Sequence, residues 1–210
     1  MRWNLLTILL CLIQGVCHAQ TLNWPFEVYL DESLVGSHRF TLSDQGERRR
    51  LESHAQFDIR FLGIDVYRYQ HDSLESWRQD CLEEIHAKTN DNGTSVNVDG
   101  GRQTQDFSLK VDGKTSTLPT CIMTFAYWNP QMLRQSQLLN PQTGELTPVT
   151  IQQVGRESMQ VRGVDTPVDH YHLASQKFDI DLWYDPNGNW VALDSLVEGT
   201  RKLRYRLSKS

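Results

Sequence analysis

The sequence lacks the short motifs that mark the common catalytic sites. It has no Gly-x-Ser-x-Gly elbow, no His-Glu-x-x-His helix and no glycine-rich loop of the kind that cradles phosphates. Its 210 residues include only 4 cysteines. The sequence therefore shows no signature of a hydrolase and gives no indication of a nucleotide cofactor. We therefore predict no cofactor and lean toward a protein that is not an enzyme.

An excess of basic residues is also missing. The chain has 21 Lys and Arg against 26 Asp and Glu, with both signs interspersed. Nucleic-acid-binding domains usually show a basic patch or stripe. We therefore expect no nucleic acid among the partners.

Long apolar runs are absent after the first twenty positions. Near the start, Arg2 precedes a mostly apolar run at positions 5–16, and Cys17-His18-Ala19 offers small residues at both cleavage positions. A run of about 12 residues is too short for a spanning helix, which needs roughly 20, and fits a secretory signal peptide. We predict a signal peptide at residues 1–19, a single β-rich domain at 20–210, no transmembrane segment in the mature chain, and a periplasmic or secreted location.

Removal of the signal peptide would leave two cysteines, Cys81 and Cys121. In an oxidising compartment, an even pair of this kind predicts one disulfide. A redox site of the thioredoxin type needs Cys-x-x-Cys, and a thiolate zinc site needs more ligands than these two. The disulfide is the preferred interpretation.

Apolar and polar residues alternate with a period of two along most of the chain, which is typical of strands with one buried face. Turn residues separate the runs, as at Asp185-Pro186-Asn187-Gly188, where we predict a hairpin. The pattern predicts a mainly β fold, an antiparallel meander that forms a barrel or a strongly curved open sheet. The predicted strands include residues 26–31, 56–61, 66–71, 95–98, 107–111, 168–174, 178–184, 190–193 and 203–207.

The middle of the chain departs from the strand pattern and predicts one short helix near residues 130–137. Asn129 can cap the helix with Pro130 at its first position, and Asn140-Pro141 would end the segment after the helix. The segment is rich in aromatic and amide side chains. It suits either the lip of an apolar pocket or a plug for one end of a barrel.

Four motifs in order resemble an exported bacterial family of unknown function of proteobacterial type. They are Trp-Pro-Phe-x-Val-x-Leu-Asp at 24–31, Tyr-Trp-Asn-Pro at 127–130, Leu-Asn-Pro-Gln-Thr-Gly at 139–144, and Leu-Trp-Tyr-Asp…Trp-Val-Ala-Leu at 182–193. The resemblance implies an exported all-β domain and no catalytic residues. By analogy alone, the layout is similar to calycin-like barrels and to periplasmic lipoprotein carriers.

Aromatic side chains are the candidate ligand-binding residues. If the sheet interior accepts a lipid, an acyl chain or another hydrophobic molecule, we expect the pocket to be lined by Phe125, Tyr127, Trp128, Trp183 and Trp190. The leading hypothesis is accordingly a binding or carrier protein. A small periplasmic hydrolase or isomerase, and an envelope assembly factor that contacts an envelope protein, remain as alternatives.

Histidines provide weak candidates for a metal site. His170 and His172 are two apart and would share one face of a strand, so both imidazoles could reach one ion. Zinc would need at least one more ligand, for which His38, His54, His71 and His86 are available. The more ordinary interpretation is a solvated strand face, and we assign no metal.

Overall fold

The computed structural model describes residues 20–44, 46–61, 64–197 and 199–209. The predicted signal peptide, residues 1–19, lies outside this described part. Among the described residues, no helix is long and apolar enough to cross a membrane.

Thirteen strands form one antiparallel sheet, and two short strands form a separate ladder. The bounds are β1 (Gln20–Leu30), β2 (Ser33–Asp44), β3 (Arg48–Phe61), β4 (Ile64–Arg78), β5 (Cys81–Asp91), β6 (Thr94–Arg102), β7 (Asp106–Val111), β8 (Lys114–Pro119), β9 (Gln137–Leu139), β10 (Leu146–Pro148), β11 (Thr150–Val161), β12 (Val164–Ala174), β13 (Asp179–Tyr184), β14 (Trp190–Val197) and β15 (Arg201–Leu207).

The strand order in the large sheet is β11-β12-β13-β14-β15-β1-β2-β3-β4-β5-β6-β7-β8. Each half is a meander, and the two halves join where β15 pairs with β1. Strands β11 and β8 are the two edges, so the sheet is open. The predicted fold class is confirmed, and of its two forms the structure has the curved open sheet.

Contacts across the sheet show how strongly it curves. The rings of Phe40 on β2 and Trp190 on β14 have centroids 5.2 Å apart, although β15 and β1 lie between these strands. Neighbouring strands are about 4.8 Å apart, so three steps across a flat sheet would cover roughly 14 Å. Irregular register, as between Val28 and Tyr29 and between Ser76 and Trp77, adds local bends.

The segment between β8 and β11, residues 120–149, covers the concave face; we call it the middle segment. Its Met132, Leu138 and Leu139 are fully buried in the main core. The predicted helix is present as a 3-10 helix, Pro130–Arg134, shorter than expected. The Asn129 side chain caps it by accepting a hydrogen bond from the Gln131 backbone N–H. Pro130 stands at its start because proline needs no N–H donor there.

Candidate ligand-binding cavity

A cavity of about 400 Å³ lies between the concave face of the sheet and the middle segment. Its floor includes Ser53 and Ser73, which pair directly across β3 and β4. Further along the same strands, Phe57 and Trp77 occupy this face. Because a serine side chain fills far less space than an aromatic ring, the sheet leaves room above the two serines. The volume falls within the usual range for small-molecule sites.

The walls of the cavity are mostly apolar, and they come from parts of the chain that are far apart in sequence. The lining combines both halves of the sheet with the middle segment and the β12–β13 turn. The apolar and aromatic lining residues are Phe40, Leu51, Phe125, Tyr127, Phe178, Ile180, Leu193, Leu196, Val197, Leu203 and Tyr205.

His38 is the first of three buried histidine and glutamate side chains that line this cavity. Its Nε2 lies 2.6 Å from the Ser53 hydroxyl, and its Nδ1 lies 3.4 Å from the Tyr205 hydroxyl. The ring stacks on Phe40 with a centroid distance of 4.0 Å. Burial, reinforced by the positive charges that His71 and His54 can carry, lowers the pKa of His38 well below its ordinary value. At neutral pH the imidazole is therefore uncharged and acts as a hydrogen-bonding group.

His71 lies on β4, and its ring centroid is 6.5 Å from that of His38. Its Nδ1 is 2.9 Å from the Thr89 hydroxyl, which in turn donates a hydrogen bond of 3.1 Å to the Gln142 carbonyl. Burial lowers the pKa of His71 to about 4, partly opposed by the nearby Asp72 carboxylate. These bonds connect the floor of the cavity to the middle segment.

Glu75 is the third of these histidine and glutamate side chains, and it is only 1% exposed. Its Oε2 accepts hydrogen bonds from Trp77 Nε1 at 3.0 Å and from the Thr124 hydroxyl at 3.2 Å. Burial raises the pKa of Glu75 to about 7, although both hydrogen bonds act in the opposite direction. No Lys or Arg in the described residues forms an ion pair with it. A carboxyl group of this kind is unusual in a core that only has to be stable.

Two further cavities adjoin the first around Gln142, which lines all three. The second has a volume of about 490 Å³ and shares Leu203 and Tyr205 with the first. Tyr69 lines the second and third, and its buried hydroxyl has no hydrogen-bond partner among the described residues. Burial raises the pKa of Tyr69, so the hydroxyl stays protonated and available as a donor. The concave face therefore offers three adjoining spaces with shared lining residues.

Comparison with known protein families identifies the chain. The profile of the family described as "Domain of unknown function (DUF6134)" matches residues 26–208. The chain belongs to the DUF6134 family. This supports the expectation of a family of unknown function, whereas the specific motifs and the proteobacterial origin remain predictions.

Solved structures similar to this DUF6134 chain include a crystal structure of a beta-barrel-like protein of domain of unknown function DUF1849 from Brucella abortus. The TM-score is 0.63 at 10% sequence identity, and the match covers 91% of this chain and 96% of that chain. At this identity the similarity shows a shared fold and nothing about activity. A comparison with curated proteins gives no match.

Of the five aromatic residues predicted to bind a ligand, Phe125 and Tyr127 line the cavity of the DUF6134 domain. Trp190 lies behind Tyr127, with ring centroids 4.9 Å apart. Trp128 packs edge-on against Trp77 at 5.5 Å and does not line the cavity. The structure thus brings together two of the predicted residues, with a third in direct contact behind them.

Trp183, the fifth, lies on the outer face of the sheet. It packs in a small cluster with Val168, Val191 and Ala192, away from the main core. Its ring stacks on His170 with a centroid distance of 4.7 Å. Trp183 is next to Leu182, which faces the main core, and adjacent residues of a strand point to opposite faces.

Cys81 and Cys121 are joined by a disulfide with a Cα–Cα distance of 4.9 Å. The bond fastens the start of the middle segment to β5, and the Leu82 N–H donates a hydrogen bond to the Ile122 carbonyl at 3.0 Å beside it. The bridge lies at the base of the segment that covers the cavity. The disulfide predicted from the sequence is therefore present.

His170 and His172 share the outer face of β12, as predicted from their spacing. Asp181 Oδ1 lies 3.0 Å from His170 Nε2 and 3.0 Å from His172 Nδ1. In the described ranges, no group of three or more His, Cys, Asp or Glu side chains is arranged to hold a metal ion. The other histidines are divided between the faces: His38 and His71 line the inner cavity, whereas His54 and His86 are exposed.

Five further residues line the cavity without having been predicted to do so: His38, Ser53, His71, Ser73 and Glu75. A signal for three of them was present on β4. The alternation that places Tyr69 on the buried face continues through His71, Ser73 and Glu75 to Trp77. Polar residues at three consecutive core-facing positions of a strand indicate a cavity lined by polar groups, because core positions are ordinarily apolar.

Proposed function

We propose that this DUF6134 protein is exported and binds a small molecule with a substantial apolar part in the cavity on its concave face. The observation that carries the proposal is the space above Ser53 and Ser73 on the concave face of the sheet. It combines apolar walls with a few convergent polar groups, the composition typical of small-molecule sites. The signal-peptide pattern at residues 1–19 supports export.

Burial of apolar surface would supply most of the binding energy. Each methylene group transferred from water into such a cavity contributes about 0.8 kcal/mol. The few polar groups that line the cavity would fix the orientation of the ligand. The fold suits a carrier because the middle segment covers the cavity and the disulfide holds the start of that segment in place.

The contact between His38 and Ser53 gives little support to the hydrolase alternative. A serine nucleophile needs a base that is itself oriented by a third group, most often a carboxylate. Here the second ring nitrogen of His38 faces the Tyr205 hydroxyl at 3.4 Å. A binding role therefore explains the site better.

The test is direct ligand binding by the protein purified from the periplasm of an expression host. We expect mass spectrometry to show cleavage after Ala19 and bound lipid or another apolar molecule. We also expect decanol to change tryptophan fluorescence, because Trp190 contacts the cavity-lining Tyr127. Absence of both a bound molecule and a fluorescence response to decanol or decanoate would overturn the binding proposal.

A matched pair of variants locates the site. Ser73→Leu would fill the floor of the cavity, whereas Ser76→Leu adds the same bulk on the opposite face of the same strand. We expect S73L to weaken decanol binding by about tenfold or more and S76L to leave it unchanged. Equal binding by both variants would place the ligand elsewhere.

A further inference from the structure

The cavity contains a buried carboxyl group whose charge is not balanced by the described part of the protein. Glu75 lines the cavity, and Trp77 Nε1 and the Thr124 hydroxyl both donate to the same oxygen, Oε2. The other oxygen, Oε1, forms no hydrogen bond among the described residues. Oε2 thus accepts two hydrogen bonds, whereas Oε1 is available to accept one from a further donor.

The positions paired with Glu75 on the neighbouring strands carry apolar side chains. Its direct neighbours across the sheet are Leu51 on β3 and Ile85 on β5, and both are buried. A buried carboxylate with neither cation nor full set of donors is strongly destabilised, and it is stabilised when such a partner binds. The position therefore favours a ligand that supplies the missing donor.

The histidine and lysine side chains of the cavity point to the same choice. His38 and His71 are buried and engaged with hydroxyl groups, and their environment opposes protonation. Lys177, the basic residue of the lining, is exposed and already pairs with Glu145. An anionic head group placed deep in the cavity would meet the Glu75 carboxylate with a like charge, whereas a cationic one would meet it with the opposite charge.

We propose that the cavity binds an apolar molecule carrying a protonated amine, and that the ammonium group pairs with Oε1 of Glu75. This inference rests on the proposed binding function and specifies the ligand class of the same site. The apolar walls hold the chain or ring of the ligand. The ammonium N–H groups satisfy the oxygen that Trp77 and Thr124 leave free.

The pairing gives selectivity more than raw affinity. The free energy needed to remove an ammonium group from water offsets much of the favourable energy of the ion pair. An amine is therefore expected to bind only moderately more tightly than a neutral alcohol. A carboxylate ligand, however, would face a like charge or force Glu75 to be protonated. Discrimination between amine and carboxylate is therefore the sharpest expected signature.

The experiment compares decylamine, decanol and decanoate, which have the same chain length, with the protein purified from the periplasm at about pH 7.5. We expect decylamine to bind at least about tenfold more tightly than decanoate. Glu75→Gln keeps the shape and the two donated hydrogen bonds but removes the charge. We expect this variant to lose most of the preference for decylamine over decanoate.

Decanol binding also shows that the E75Q cavity is folded. Lys177→Met is the second variant, and we expect it to leave the amine preference intact. If decanoate binds best and K177M abolishes that preference, the ligand head group pairs with Lys177 at the edge of the cavity and the amine proposal is wrong. If decanol or decanoate binds without an amine preference, only this inference fails. If none of the three binds, the proposed binding function fails with it.

Discussion

The Thr124 hydroxyl donates a hydrogen bond of 3.2 Å to Oε2 of Glu75, joining the middle segment to the floor of the sheet across 49 positions of sequence. Together with the Cys81–Cys121 disulfide, it holds the middle segment over the concave face. The fully buried carboxyl group of Glu75 therefore lies where the middle segment meets the cavity. Its consequences for stability can be measured separately from ligand binding.

Glu75→Gln should change how stability depends on pH. Because burial raises the pKa of Glu75 to about 7 from its ordinary 4.5, the native protein binds this proton more strongly than the unfolded chain. The stabilisation is full below pH 4.5 and is lost as the pH rises through about 7. We expect the free energy of unfolding of the wild type, relative to E75Q, to fall by about 3 kcal/mol across this window.

Urea unfolding of both proteins at several pH values between these limits measures the difference. Using the difference cancels the titration of all groups that the two proteins share. A relative stability that does not change with pH would show that Glu75 is not desolvated in the native protein.

His71→Gln should change the pH dependence of stability at acidic pH, where the effect of His71 has the opposite sign to that of Glu75. Burial lowers the pKa of His71 to about 4, so the native protein binds this proton less strongly than the unfolded chain does. Its stabilisation is complete above the ordinary pKa of 6.5 and is lost as the pH falls toward 4. As the pH falls over this range, we expect the free energy of unfolding of the wild type to decrease by about 3 kcal/mol more than that of H71Q in urea unfolding.

His86 provides the contrasting variant for this measurement. Hydrogen bonding to Asp99 raises its pKa, so His86 stabilises the protein below its unfolded-state pKa and the effect is lost as the pH rises. H86Q should therefore make the acid-induced loss slightly larger, not smaller. If H71Q and H86Q shift the profile in the same direction, the assignment for His71 is wrong.

Removal of the disulfide should destabilise the fold without changing its strand content. The bond joins positions 40 residues apart. On the chain-entropy model, closing a loop of this length contributes roughly 4 kcal/mol. We expect the double variant Cys81→Ser with Cys121→Ser to lose about that much in urea unfolding. Dithiothreitol should produce a similar loss in the wild type and none in the double variant; sensitivity of the double variant to the reductant would contradict this account.

Gly36→Ala tests the close approach of two strands. A Cβ at Gly36 would lie 2.0 Å from the backbone oxygen of Gln56 on the paired strand β3, so the ladder would have to shift. We expect a loss of about 3 kcal/mol or more. At Gly101 on β6 a Cβ would meet nothing within 4 Å, and Gly101→Ala should be neutral or stabilising by up to about 1 kcal/mol. Thermal unfolding compares them, and equal effects would contradict the steric explanation.

Much of the fold was predictable from local patterns. The period of two identified β1, β3, β4, β6, β7 and β12–β15, the residues Asp185-Pro186-Asn187-Gly188 predicted the β13–β14 hairpin, and Asn129-Pro130 predicted the start of the helix. Strand β11 was not identified because both of its faces are largely exposed, so its sequence shows little apolar alternation. Of the predicted pocket residues, Phe125 and Tyr127 do line the cavity, but an aromatic pattern does not distinguish them from Trp183 on the outer face.

The sequence by itself determined the β class, the pairing of Cys81 with Cys121 and the expectation of export, because each depends on residues that are close together or few in number. Only the tertiary structure decided where the cavity lies and which groups enter it. His38, Ser53 and Glu75 come from three different strands. Tyr205 reaches His38 because the open sheet is curved, and Thr124 reaches Glu75 because the middle segment lies across the concave face. That curvature accumulates from the twist and the irregular register of thirteen strands, which no local stretch of sequence specifies.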